Sequence, residues 1–254
     1  MSNDDTLYSV ANGVATITLN REDNKNALSA DLVNSLGDNL KHAEQDDQVR
    51  AIVLTNNGNT FCAGADLKGG AASAPRYTLP QLFELMQSAS KPVVGRIAGH
   101  CMGGGVGLAA ACDISIAADD IKLGFTEVRI GVAPAIISVV CLPKMRRGDA
   151  MELFLSGERI SSSHAATLGL LNHAVGRGEL DVRLAELMRK LVRGGPLALA
   201  AAKQLVLKVS DMDRNAAFNW TAKVSADLFK SEEASEGIKS FRDRVDAPWI
   251  PDSD

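Results

Sequence analysis

Residues 99–113, GHCMGGGVGLAAACD, set a cluster of glycines at the mouth of an apolar, alanine-rich segment. Glycine is a poor helix residue and loses more freedom on ordering than any other, so such a cluster signals that something approaches this backbone closely. A phosphate loop is one use, but no Gly-Lys-Ser/Thr follows Gly99 or Gly103, and in the dinucleotide pattern counted from Gly103 the third glycine position is Leu108. The chemistry left is an oxyanion site, in which bare N–H groups at a helix start hold a carbonyl oxygen as it gains negative charge. Two donors from two loops grip better than one, and FCAGADLK (61–68) supplies a second loop of small residues, after the apolar run AIVLT (51–55).

Other chemistries lack their residues. No G-x-S-x-G nucleophile elbow occurs in the chain. His42, His164 and His173 lie in or beside amphipathic helical text, and His100, beside the glycines, has no companion at metal-ligand spacing, so no metal is expected. Lys plus Arg is 27 and Asp plus Glu 31, scattered along 254 residues for a net charge of −4, which argues against nucleic acid or an anionic membrane as partner. Cys62, Cys101, Cys112 and Cys141 form no C-x-x-C pair, and the N-terminus has neither a basic start nor an apolar run; a reduced, cytoplasmic protein is expected. The longest apolar stretches fall short of the roughly 20 residues that span a bilayer.

The elements that must position the two loops read as α/β. LYSV and VATITL are strands around the turn Asn12–Gly13. Ser29 caps a helix with the apolar face Leu32, Val33, Leu36, Leu40 and Ala43, and Thr78 with Gln81 forms a capping box from about Leu79. AIVLT, VVGRIA (93–98) and DISIA (113–117) are buried strands separated by helices, which implies parallel pairing with crossovers. From about residue 145 the pattern predicts helices alone.

NKNALSADLVNSL, NTFCAGADLK, KPVVGRIAGHCMGGGVGLAAACDISIAADDIKLGFTEVRIGVAP and GERISSSHAATLGLLNHAV, in that order, resemble the crotonase (enoyl-CoA hydratase/isomerase) superfamily over nearly the whole chain. The resemblance implies a spiral of ββα units over 1–195 with the acyl-CoA site, then a C-terminal helical region over 196–254 that builds trimers, often paired into hexamers. It implies no prosthetic group, coenzyme A being part of the substrate. It places the oxyanion donors at the Ala65 and Gly104 amides, and coenzyme A along Lys25, Ala27, Ala63, Asp66, Leu67 and Lys68.

Hydratases of this family typically use two glutamates. One matches Glu127; the other falls on Gly107. A side chain at 107 would return to nearly the same helix face as Gly104, so the glycine is expected to leave room near the acyl group. The resemblance therefore implies an enoyl-CoA hydratase or isomerase working through Glu127 alone. The alternatives are a hydratase of branched glutaconyl-type thioesters, which EVRIGVAPAIIS resembles, or a non-catalytic acyl-CoA-binding protein. Hydrolase relatives carry an aspartate where this chain has Ala135, and serine peptidases of the same fold need a serine near Met102, yet none occurs between Ser90 and Ser115. The loop 69–80 and the helix around Ile238–Val245 are expected to shape the acyl pocket, with Phe83, Phe125, Phe241 and Trp249 as lining candidates and Arg76 and Arg96 as candidates for a substrate carboxylate.

Overall fold

A computed structural model describes residues 5–68 and 74–250; residues 69–73, part of the loop expected to shape the pocket, lie outside the described residues. Asn12 and Gly13 both have left-handed backbone (φ 49° and 74°), the twist a two-residue hairpin needs. They join β1 (Thr6–Ala11) to β2 (Val14–Leu19). Ser29 Oγ accepts from the Leu32 amide at 3.2 Å and starts α1 (Ala30–Gln45), which buries the expected apolar face.

The chain then repeats one unit. Strands β3 (Ala51–Asn56) and β4 (Thr60–Cys62) precede α2 (Leu79–Ser88), started by the Thr78–Gln81 capping box. Strands β5 (Val93–Ile97) and β6 (His100–Met102) precede α3 (Gly104–Ala111). Strands β7 (Ile114–Ala118) and β8 (Lys122–Gly124) lead through a 3-10 turn over 126–130 to α4 (Ala135–Cys141). Helix α5 (Arg147–Ser156) is followed by β9 (Arg159–Ser161), and α6 (Ser162–Thr167) by β10 (His173–Val175). The first strand of each unit joins a six-stranded sheet in the order β1-β2-β3-β5-β7-β10, parallel from β2 onward. The second joins a smaller sheet, β4-β6-β8-β9, in which only β9 runs antiparallel. This alternation between two sheets is the spiral.

The expectation of helices alone after residue 145 is corrected by β9 and β10. Each is three residues long, too short to show a period of two, and both exist because they complete a sheet edge.

Helices α7 (Leu180–Leu191), α8 (Pro196–Lys208), α9 (Arg214–Phe229) and α10 (Glu232–Asp243) follow. One buried ion pair ties α8 to the sheet: Lys203 Nζ lies 2.9 Å from Asp113 Oδ2 and donates to the Met86 carbonyl at 2.7 Å. Asp113 Oδ2 also accepts from the Val93 amide at 2.7 Å, and burial still pushes its carboxyl above the usual range. Lys203→Met strands that carboxylate, so it is expected to lower stability by about 3 kcal/mol, roughly 6–12 °C in Tm; an unmoved melting midpoint would show that the pair does not hold α8. Among the described residues no helix is long and apolar enough to cross a membrane.

Candidate active site

Three consecutive turns of the spiral deliver the expected site to one edge of the small sheet. Ala65 lies three residues past β4, Gly104 two past β6, and Glu127 three past β8. The loops meet backbone to backbone. A Cβ on Gly64 (φ 92°) would stand 2.9 Å from the Met102 carbonyl oxygen and 3.3 Å from the Gly104 nitrogen, and one on Gly105 would strike the Cys62 carbonyl. Leu28 bridges the 63–68 loop, its amide donating to the Gly64 carbonyl at 2.8 Å. The Gly104 N–H opens α3 and so has no intrahelical acceptor; the Ala65 N–H finds no acceptor among the described residues. Two unspent donors thus sit on touching loops.

Gly103 joins β6 to α3 at φ 51°, where its amide donates to the Gly124 carbonyl at 3.0 Å. A Cβ there would lie 3.0 Å from Glu127 Oε1, so the glycine admits both the turn and the carboxylate. Glu127 is half-buried, and its Oε2 is enclosed with no hydrogen-bond partner among the described residues. Burial raises its pKa above that of an ordinary glutamate. The preceding Phe125 anchors this turn, buried against Phe154 with ring centroids 4.4 Å apart.

A cavity of about 790 Å³ runs past these groups, with Leu28, Tyr77, Ile130, Ile136 and Ile137 among its apolar walls. It contains Ala63, Ala65, Leu67, Gly104 and Glu127 of the expected site. Lys25 instead lines a separate polar cavity of about 260 Å³ with Glu22 and residues 57–60, and Ala27 is buried. The two segments are still adjacent, because the Ala63 amide donates to the Lys25 carbonyl at 3.1 Å. Asp66 Oδ1 accepts from the Lys68 amide at 3.0 Å, which turns that loop outward and leaves Lys68 exposed.

Asn26, which the sequence reading passed over, fixes this arrangement. Lys25 and Asn26 both take left-handed backbone (φ 59° and 51°). The wholly buried Asn26 side chain holds them by donating to the Thr60 carbonyl at 2.7 Å and accepting from the Arg21 amide at 2.7 Å. Only the Lys25-Asn26 pair ahead of the Ser29 helix cap hints at it, since asparagine tolerates this conformation.

Position 107 corrects an expectation. A Cβ on Gly107 would lie 2.5 Å from Ile137 Cγ2 and 2.8 Å from Phe83 Cζ, and Gly107 does not line the cavity. The glycine leaves no room beside the acyl group; α4 and α2 have closed in and filled it. Phe83 and Phe125 are core, whereas Phe241 is exposed and Trp249 donates to the Arg193 carbonyl, and none lines the cavity. No residue of 238–245 lines it either. Arg76 pairs with Asp38 and Arg96 with Asp181, both outside the cavity. His100 Nδ1 accepts from the Lys122 amide at 3.0 Å, a structural link between β6 and β8. The four cysteines are free and buried, with burial pushing Cys62, Cys112 and Cys141 up to about 12.

Fold and site together define an α/β spiral that presents two bare amides and one carboxylate to an apolar cavity. The chain belongs to the enoyl-CoA hydratase/isomerase family, whose model matches residues 9–251. It is 34% identical over 240 residues to a probable enoyl-CoA hydratase of Bacillus subtilis, covering 91% of this chain and 93% of that one. It is 32% identical over 237 residues to a putative enoyl-CoA hydratase of Thermus thermophilus, covering 90% and 94%. A solved enoyl-CoA hydratase of Mycobacterium smegmatis superposes with a TM-score of 0.88 at 28% identity, over 96% of this chain and 98% of that one. The crotonase fold expected from the sequence is therefore the fold of this chain.

Proposed function

We propose that the protein hydrates a 2-enoyl-CoA thioester, with Glu127 as its single acid/base. The observation that carries this reading is the Glu127 carboxylate, its Oε2 enclosed without a partner among the described residues and its Oε1 set against Gly103, next to the free N–H of Gly104. The thioester carbonyl accepts from the Ala65 and Gly104 amides. Glu127 takes a proton from water as the water oxygen adds to the β-carbon, negative charge moves onto the held carbonyl oxygen, and the protonated Glu127 returns a proton to the α-carbon. Coenzyme A runs along Lys25, Ala27, Ala63, Asp66, Leu67 and Lys68. The helical region from Pro196 packs on neighbouring copies through exposed Phe218, Phe229 and Phe241, which are 62%, 75% and 86% exposed.

The filled position 107 favours a second reading, double-bond isomerisation, which needs one carboxylate to lift a proton and return it two carbons away. Turnover of 2-enoyl- and 3-enoyl-CoA in ¹⁸O-labelled water, read by mass spectrometry, separates the two: the expected product is a labelled 3-hydroxyacyl-CoA. An unlabelled isomer selects the second reading, and acyl-CoA binding with no turnover overturns both. The raised pKa of Glu127 sets a further expectation. The base form is lost as pH falls through that value, so the acid limb of kcat/KM lies above the roughly 4.3 of an exposed glutamate; a limb at or below it would remove Glu127 from the role.

A further inference from the structure

We infer that the acyl group taken by this cavity ends in a carboxylate, bound by Arg129 and Arg159; the inference rests on the thioester reading of Ala65 and Gly104. Strand order supplies the geometry. Along the small sheet, β4-β6-β8-β9, neighbours stand about 4.8 Å apart. The edge therefore runs from the amide donors past β4 and β6, to Glu127 past β8, to Arg159 at the start of the antiparallel β9. Arg159 lies in register opposite Gly124, and its Cγ would be 3.2 Å from a Cβ there, so its stem lies flat on that bare backbone. Arg129 follows Glu127 by two residues and drapes in the same way over Gly157, its Nε 3.2 Å from where a Cβ would be. Both arginines line the cavity at its exposed rim.

Arg96, Arg146, Arg177 and Arg193 each hold a carboxylate within 2.8 Å. Arg129 and Arg159 hold none among the described residues, as is also true of Arg147, Arg189, Arg214, Arg242 and Arg244, but of these only Arg129 and Arg159 line the cavity. Nor do they serve Glu127, whose pKa is raised by burial with no opposing cation. Two guanidinium forks without a carboxylate partner, beyond the acid and at the rim of an apolar cavity, match a carboxylate carried at the end of the chain rather than a methyl group.

The test compares 2-enedioic mono-CoA thioesters of five to eight carbons with 2-enoyl-CoA thioesters of equal length, in the wild type and in Arg129→Gln and Arg159→Gln. The wild type is expected to favour at least one carboxylated length in kcat/KM. Either substitution is expected to cut that selectivity ratio roughly 10- to 100-fold, with Arg→Lys restoring part of it. Calorimetric binding of the saturated thioester pairs to Glu127→Gln reads the same preference without turnover. A preference in binding with no hydration of any substrate supports the inference and counts only against the hydration reading. A wild type that prefers methyl-ended chains overturns the inference. So does an equal loss on both series, which would put the arginines on coenzyme A phosphates, or no change on either.

Discussion

Glu127→Gln is expected to lower kcat roughly 100- to 10,000-fold, the range a positioned acid/base commonly supplies, and to leave acyl-CoA affinity and the fold in place. The substitution is isosteric, so the Gly103 turn that accommodates the carboxylate accommodates the amide as well. Its effect on stability has the opposite sign to its effect on rate. Because burial raises the folded-state pKa, the ionised carboxylate at neutral pH is less at ease in the fold than in the unfolded chain, a deficit that vanishes as pH falls below the unfolded value. Neutral Gln is therefore expected to melt no lower than the wild type near pH 7. Thermal denaturation beside steady-state kinetics checks both halves. A kcat within about tenfold of wild type would show that Glu127 does not carry the proton.

Gly107→Glu is expected to be among the most destabilising single changes in the chain, not a gain of a second acid. The new stem meets Ile137 Cγ2, which is fixed at a branched carbon, and the ring of Phe83, and both side chains are nearly fully buried. Overpacking together with a buried, unpaired carboxylate is expected to cost about 3–5 kcal/mol, which lowers Tm by roughly 6–20 °C in a chain of this size. Gly107→Glu combined with Ile137→Ala is expected to recover part of the loss, because the obstacle is removed; a double-mutant cycle measures the coupling. If the single variant melts like wild type, α4 moves aside freely and Ile137 does not define the wall.

Much of the fold was legible because its signals are local. Asn12–Gly13 prescribes its hairpin, Ser29 and Thr78 prescribe their helix starts, and AIVLT reads as a strand buried on both faces. The two small-residue loops were legible for a similar reason: glycine where a helix should begin is a cost that needs an approach of backbone to explain it. What stayed hidden depends on partners far along the chain. Strands β4, β6, β8, β9 and β10 are three residues each and exist through their neighbours. The bare position 107 reads as a vacancy until Ile137 and Phe83 are seen to fill it. Arg129 and Arg159 look like any surface arginine until the sheet order brings them to the rim of the cavity that Glu127 lines.

That sheet order also governs when the site comes into being. Residues 65, 104, 127 and 159 are neighbours on one edge yet tens of residues apart in sequence, so each adjacency closes a long loop and must be bought with chain entropy before it returns any contact. A chain growing from its N-terminus holds the Ala65 loop early but acquires the Gly104 turn only after β6, Glu127 only after β8, and the antiparallel strand that completes the edge last. The small sheet is therefore complete only when β9 docks, after β4, β6 and β8 have been laid down in turn.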